Sequence, residues 1–272
     1  MHAPISLAAL AALVPFVAAH GHLTNVNAGG KDYPLMGPDW VYKPAGTSSG
    51  ASWRGGNQDN GFVGSSAAEL ASGAVSCHKR PTKDGVTGTA ADGALPADGA
   101  PVPVTAGSTL TVTWDQWPTH PGPTLDYLAK CPGKCADLKD ASQLQWFKIR
   151  ESGIVSPGKF EASTMSGANV KQQVKIPAAL ANGEYVLRHE IIALHGSTQV
   201  GGAQLYPQCF NVAVSGGGSL QPAGVTGDKL YTERDPGIYV PNYWSAEALA
   251  NYDIPGPAID PALRGQVNYF TA

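Results

Sequence analysis

The 272-residue chain is short of charge: Asp, Glu, Lys and Arg together make up 14% of it and the formal net charge is -3. Nucleic-acid binding needs a basic surface, so that composition argues against it. No apolar run approaches the roughly 20 residues needed to cross a bilayer, so no membrane partner is expected. Long stretches with helical periodicity are missing, internal repeats are absent, and no Asn-x-Ser/Thr acceptor for N-glycosylation occurs. Cysteine is scarce, at four residues, and only one close pair exists, which makes a cysteine-based zinc site unconvincing.

What is present points to export and to β-structure. Residues Leu7 to Val17 form a short apolar run that ends in Ala18-Ala19 before His20. This fits a secretory leader over 1–19, cleaved after Ala19, with residues 20–272 as one secreted domain. Gly 33 and Pro 22 indicate a loop-rich protein. Strands are expected at 20–27, at Thr109–Trp114, where Leu110, Val112 and Trp114 alternate with threonines, at 144–149, at 170–176, over the apolar-rich run Glu184–His195, and at 209–214. Residues 30–76 and 79–99 read as irregular, with a short helix near Ser66 to Ala71. Short strands between turn signals favour an all-β sandwich over an α/β fold. Gly216-Gly217-Gly218 could be a linker, but the following segment carries Tyr231, Tyr239, Tyr243, Trp244, Tyr252 and Tyr269 without a cysteine. It reads as a tail wrapped over the sandwich.

In an exported chain four cysteines normally form two disulfides, and sequence leaves three pairings open. Cys131 and Cys135 enclose only Pro132-Gly133-Lys134, which favours a local bridge and leaves Cys77 and Cys209 to join distant segments.

Cleavage before His20 would create a residue with two metal-binding nitrogens, its α-amine (reference pKa about 7.7) and ring Nδ1. A second imidazole would complete three nitrogens, a donor set that suits copper better than the carboxylate-containing iron triad. His120 is held in the stiff segment Trp117-Pro118-Thr119-His120-Pro121-Gly122-Pro123. His22 offers a rival mode, because His-Gly-His at a free terminus can chelate copper through amine, amides and the third-position imidazole. Strand pairing would claim those amides. His189 reads as structural, and His78, next to Cys77, has no assigned role.

The sequence resembles the fungal cellulose-active lytic polysaccharide monooxygenases of auxiliary activity family nine, once classed with glycoside hydrolases. The resemblance rests on His20 after the leader, the Trp117–Pro123 segment, Leu187-Arg188-His189-Glu190-Ile191-Ile192-Ala193-Leu194-His195, Gly202-Ala203-Gln204-Leu205-Tyr206-Pro207-Gln208-Cys209, Asp235-Pro236-Gly237-Ile238 and Ile254-Pro255-Gly256-Pro257. These pieces run from the mature start almost to the C-terminus. The resemblance implies an immunoglobulin-like or fibronectin-like β-sandwich with a flat copper-bearing face, and Cys77–Cys209 and Cys131–Cys135 disulfides. It implies one copper ion held by His20 and His120, with Tyr206 axial, and His195 and Gln204 beside the ion as hydrogen-bonding groups.

An external electron donor, either a small molecule or a redox protein, and hydrogen peroxide or dioxygen would then support hydroxylation at C1 or C4 of cellulose or a related glucan. Hydrolysis would instead need a spaced carboxylate pair, for which Glu190 and Asp115 are weak candidates. A sparsely charged surface suits an uncharged glucan, with Tyr243, and then Tyr239 and Tyr42, expected to stack on sugar rings. A monomer is expected. The alternatives are a non-catalytic carbohydrate-binding sandwich and a copper-binding protein without oxidative activity.

Overall fold

Alternation along Thr109–Trp114 does build a strand, and the strand continues beyond it. In the computed structural model, which describes residues 20–44, 46–56, 59–79, 94–141, 144–266 and 269–270, the strands in chain order are as follows. They are β1 (Leu23–Ala28), β2 (Lys31–Pro34), β3 (Val63–Gly64), β4 (Val102–Thr105), β5 (Thr109–Pro118), β6 (Thr124–Lys130), β7 (Phe147–Ser152), β8 (Ile154–Ser156), β9 (Lys159–Phe160), β10 (Ser166–Lys175), β11 (Gly183–Ala193), β12 (Gln204–Ser215) and β13 (Tyr269–Phe270). The expected leader at 1–19 and most of the irregular stretch 79–99 lie outside the described residues. Helices are single turns, α1 (Ala67–Leu70), α2 (Ala74–Cys77), α3 (Glu161–Thr164) and α4 (Ala246–Ala250). The turn expected near Ser66 is α1, whose first turn is capped by the Ser66 side chain accepting from the Glu69 N–H. Among the described residues no helix is long and apolar enough to cross a membrane.

Two sheets face each other, as a β-sandwich requires. One has the order β10-β5-β1-β2; the other runs β13-β7-β6-β11-β12-β3, with β4 pairing in parallel to β12. Val26, Leu110, Val112 and Trp114 from the first sheet meet Leu187, Ile191, Phe210 and Val212 from the second in a sealed core. The second sheet is also covered on its outer face. There Tyr127, Val186, Ile192 and Leu205 pack with Trp146 and with Leu230, Tyr231, Ile238 and Val240 of the C-terminal tail. Ile259 and Leu263 join the inter-sheet core. Each such side chain stabilises by roughly 1.5–3 kcal/mol on burial, so the tail is held by its own apolar residues.

Double coverage explains where the expected strands shift. A strand buried on both faces carries no alternation. All but the last residue of β6 are buried, and this central strand went unmarked in the sequence. Expected strand 144–149 lies three residues further on, at Phe147–Ser152. The first strand starts at Leu23 instead of residue 20, because the His20 carbonyl is taken by side chains, Asn60 Nδ2 and Gln116 Nε2, both at 2.9 Å. Two disulfides cross-link the chain, Cys77–Cys209 and Cys131–Cys135.

Candidate metal centre

Three chain segments converge at one end of the sandwich. His20 precedes β1, His120 lies in the loop after β5, and His195 follows β11. Gln204 and Tyr206 open β12, where they pair with Ala193 and Ile191 of β11. The loop carrying His120 is fastened to the end of β11. Leu194 N–H donates to Pro121 O at 2.7 Å and Ile192 N–H to Pro123 O at 3.1 Å. Gly122 makes that contact possible. Its φ is 150°, and a Cβ there would sit 1.8 Å from the Ile192 carbonyl oxygen. Only glycine tolerates both conditions. Thr119 turns the chain just before His120 with φ 63°, a strained value for a β-branched residue.

The result is a cluster of rings. His120 stacks on His195 with centroids 4.0 Å apart. His20 lies 5.8 Å from His120 and 5.3 Å from Tyr206. Trp117, fully buried, packs edge-on against both His120 and Tyr206, at 6.0 and 5.2 Å. Metal–nitrogen bonds of about 2.0–2.1 Å would bring two imidazole rings that share an ion to within roughly 6 Å of each other, centroid to centroid. The observed 5.8 Å accommodates that arrangement. Among the described residues no group of three or more His, Cys, Asp or Glu side chains gathers as a metal site. The rings of His20, His120 and His195 are the nitrogen donors that this end of the sandwich could offer a metal.

Electrostatics favour neutral rings. Burial pushes the His20 imidazole below its ordinary value, against the pull of Asp59 and a hydrogen bond to Gln204. Burial lowers His195 as well, helped by the nearby His20. An unprotonated ring is the form that binds metal. Tyr206 is driven well above its ordinary value by burial and by Asp59, so it stays a neutral phenol and donates its hydroxyl hydrogen to Gln204 Oε1 at 2.7 Å. Gln204 thus keeps its amide N–H groups for other acceptors. His195 Nδ1 is buried and has no hydrogen-bond partner among the described residues.

The other singled-out residues lie elsewhere or do structural work. His189 is fully buried against Asp126 at 2.6 Å. Glu190 is locked in a buried ion pair with Arg188 at 2.6 Å, and Asp115 is bound to His22 at 3.2 Å. Both carboxylates are thus engaged in contacts with basic side chains. His78 is buried, with Nε2 on Gly61 O at 3.1 Å and Nδ1 accepting from the Lys79 N–H at 2.9 Å. Phe62, Asn60 and Gln116 all touch His20. Of these, only Gln116, which adjoins Trp117, carried a positional hint.

The aromatic residues fall into two groups. Tyr42, 73% exposed, ends a short 3-10 helix, Pro38–Tyr42. That helix begins beside His22, whose Nε2 would lie 2.2 Å from a Cβ on Gly37. Tyr243 is half-buried against the outer core. Its neighbour Trp244, passed over in the sequence, is 61% exposed and meets Tyr243 edge-on at 4.9 Å. Tyr239 is half-buried between the buried Ile238 and Val240. The tail reaches the metal-side turn here, because Val240 N–H donates to Ser197 O at 3.0 Å.

Residues 20–252 match Auxiliary Activity family 9 (formerly GH61). A lytic polysaccharide monooxygenase F of that family from Malbranchea cinnamomea is 41% identical over 259 residues, spanning 94% of this chain and 97% of that one. The extended catalytic domain of a Hypocrea jecorina lytic polysaccharide monooxygenase superimposes with a TM-score of 0.77 at 39% identity, covering 93% of this chain and 96% of that one. A cellulose-active polysaccharide monooxygenase from M. thermophila gives 0.67 at 30% identity, with 89% and 99% covered. These likenesses extend over the sandwich, the His120 loop and most of the tail, and on them the chain belongs to Auxiliary Activity family 9, the family of copper-dependent lytic polysaccharide monooxygenases.

Proposed function

We propose that this chain, released from its leader after Ala19 and secreted as a single domain, binds one copper ion through the His20 amine and ring and the His120 ring. We also propose that it cleaves cellulose or related β-1,4-glucans oxidatively at that site. The observation that carries the reading is the meeting of the His20 and His120 rings at 5.8 Å, with Tyr206 packed beside His20. The family match begins at His20, which supports that residue as the mature terminus. Copper bound there and reduced by an external donor supplies the one-electron chemistry that lets hydrogen peroxide or dioxygen hydroxylate C1 or C4 of a sugar.

The protein's own groups do the rest. Tyr206 stays protonated and fills one side of the site without contributing an anionic ligand. His195, lying against His120 with a partnerless ring nitrogen, holds or passes a proton. Gln204 presents amide donors and fixes the Tyr206 hydroxyl. Trp244, supported edge-on by Tyr243, and Tyr42 are the exposed rings that stack on glucose units, with the half-buried Tyr239 as a further contact. A crystalline chain cannot enter a deep cleft, so an exposed platform is what such a substrate requires.

The test is incubation of protein beginning at His20 with copper, ascorbate and amorphous cellulose, with products read by mass spectrometry. Oxidised oligosaccharides are expected, absent from His120→Ala and from protein retaining Ala19. Products unaffected by His120→Ala, or cellulose binding without products, would refute the proposal.

A further inference from the structure

A free terminus reading His20-Gly21-His22 can hold Cu(II) in two incompatible ways. One uses the amine and the His20 ring and leaves room for His120. The other wraps the first three residues around the ion, taking the amine, the nitrogens of residues 21 and 22 with loss of their amide protons, and His22 Nδ1. That four-nitrogen chelate needs no fold, and nitrogen donors of this kind suit Cu(II) strongly. Formed here, it would consume the terminal amine and leave His120 without its partner.

Two of the groups the rival chelate needs, the His22 amide and the His22 ring, are engaged by neighbours. His22 N–H donates to Asp115 Oδ1 at 2.8 Å. His22 Nδ1 lies 2.8 Å from Asn60 Oδ1 and 3.2 Å from Asp115 Oδ2. Asn60 Nδ2 reaches back to the His20 carbonyl at 2.9 Å, and Gln116 Nε2 donates to the same oxygen at 2.9 Å. The Asp115 N–H closes the ring by donating to His22 O at 2.9 Å. Gly21 is pressed so close to β5 that a Cβ would meet Gln116 O at 2.0 Å. His78 Nε2 holds the same loop through the Gly61 carbonyl at 3.1 Å. Residues 20–22 are therefore pinned along the end of β5, and wrapping them around an ion would break this whole set of bonds.

We propose that Asp115, Asn60 and Gln116 form a clamp that withholds His22 and its amide from Cu(II) and so directs the ion to the His20–His120 pair. The three are positioning residues: they act through His20 and His22 and touch neither substrate nor ion. The proposal rests on His20 being the mature terminus and a ligand, and the experiment separates the two ideas.

Processed protein is loaded with less than one equivalent of Cu(II) at neutral pH. Electron paramagnetic resonance and visible absorption then distinguish a three-nitrogen site from a square-planar four-nitrogen one. Wild type should give only the three-nitrogen signal. Asp115→Ala should convert most of the copper to the four-nitrogen form, and His22→Ala added to Asp115→Ala should abolish that form and restore the original spectrum. Asn60→Ala, which leaves the backbone bonds of Asp115 in place, should show the same conversion in part and serves if Asp115→Ala does not fold. Wild-type spectra in both single variants, or a four-nitrogen signal that survives loss of His22, would overturn the clamp. A His120→Ala protein with unchanged copper affinity and spectrum would overturn the underlying site itself.

Discussion

Replacing Gly122 with alanine should loosen the metal site without touching a ligand. The new Cβ would lie 1.8 Å from the Ile192 oxygen and 2.9 Å from its carbon, so the loop must lift off β11. A non-glycine residue at φ 150° costs roughly 1–3 kcal/mol. The lifted loop also loses the Leu194–Pro121 and Ile192–Pro123 bonds, at about 1 kcal/mol each. The sum, roughly 3–5 kcal/mol, is a large share of the stability of an ordinary domain. Urea unfolding of the copper-free protein should show it as a lower midpoint with an unchanged slope. Calorimetric titration with Cu(II) should show weaker binding, because His120 no longer sits against His195. A variant destabilised by less than about 1 kcal/mol, with wild-type copper affinity, would mean the loop is not held in the way described.

Burial lowers His78 to about 4. The unfolded chain then takes up a proton near pH 6.5 that the folded chain refuses, so stability should fall as pH drops from about 6.5 to about 4, by roughly 3 kcal/mol. His78→Asn, which keeps an acceptor for the Lys79 N–H, should flatten that slope in denaturant titrations at a series of pH values. Arg188→Met leaves Glu190 charged and buried without its partner and should cost about 3–5 kcal/mol, read as a fall in the urea midpoint. Trp244→Ala should weaken binding to cellulose about fivefold, the equivalent of about 1 kcal/mol of lost stacking, while the affinity for Cu(II) stays unchanged.

The parts of this molecule that are legible in its sequence share a local signature. β5 declares itself by alternation over Thr109–Trp114, because its inward side chains pack against the second sheet while Thr109 and Thr111 on the other face are less deeply covered. Ser66 declares α1 through its capping position. The His120 loop is visible because proline and glycine crowd around the ligand candidate. β6 is silent, since Thr124–Ala129 is buried on both faces and periodicity then disappears. Asn60 and Phe62 are silent for a different reason: they reach His20 from a loop 40 residues away in sequence, and no local pattern encodes such a meeting. Nothing local separates Trp244 from Tyr243 as the more exposed ring, because exposure depends on how the tail packs against the outer core.

The tail also ties together regions that might otherwise come apart separately. The Tyr231 hydroxyl donates to Glu190 Oε2 at 2.5 Å inside the outer core, and Leu230, Ile238 and Val240 pack around it. Peeling the tail away would admit water to the Arg188–Glu190 pair and strip the covering from β11, the strand that leads into His195. Melting should therefore be all-or-none. A protease acting on the native protein should not cut between Leu230 and Leu263 ahead of global unfolding.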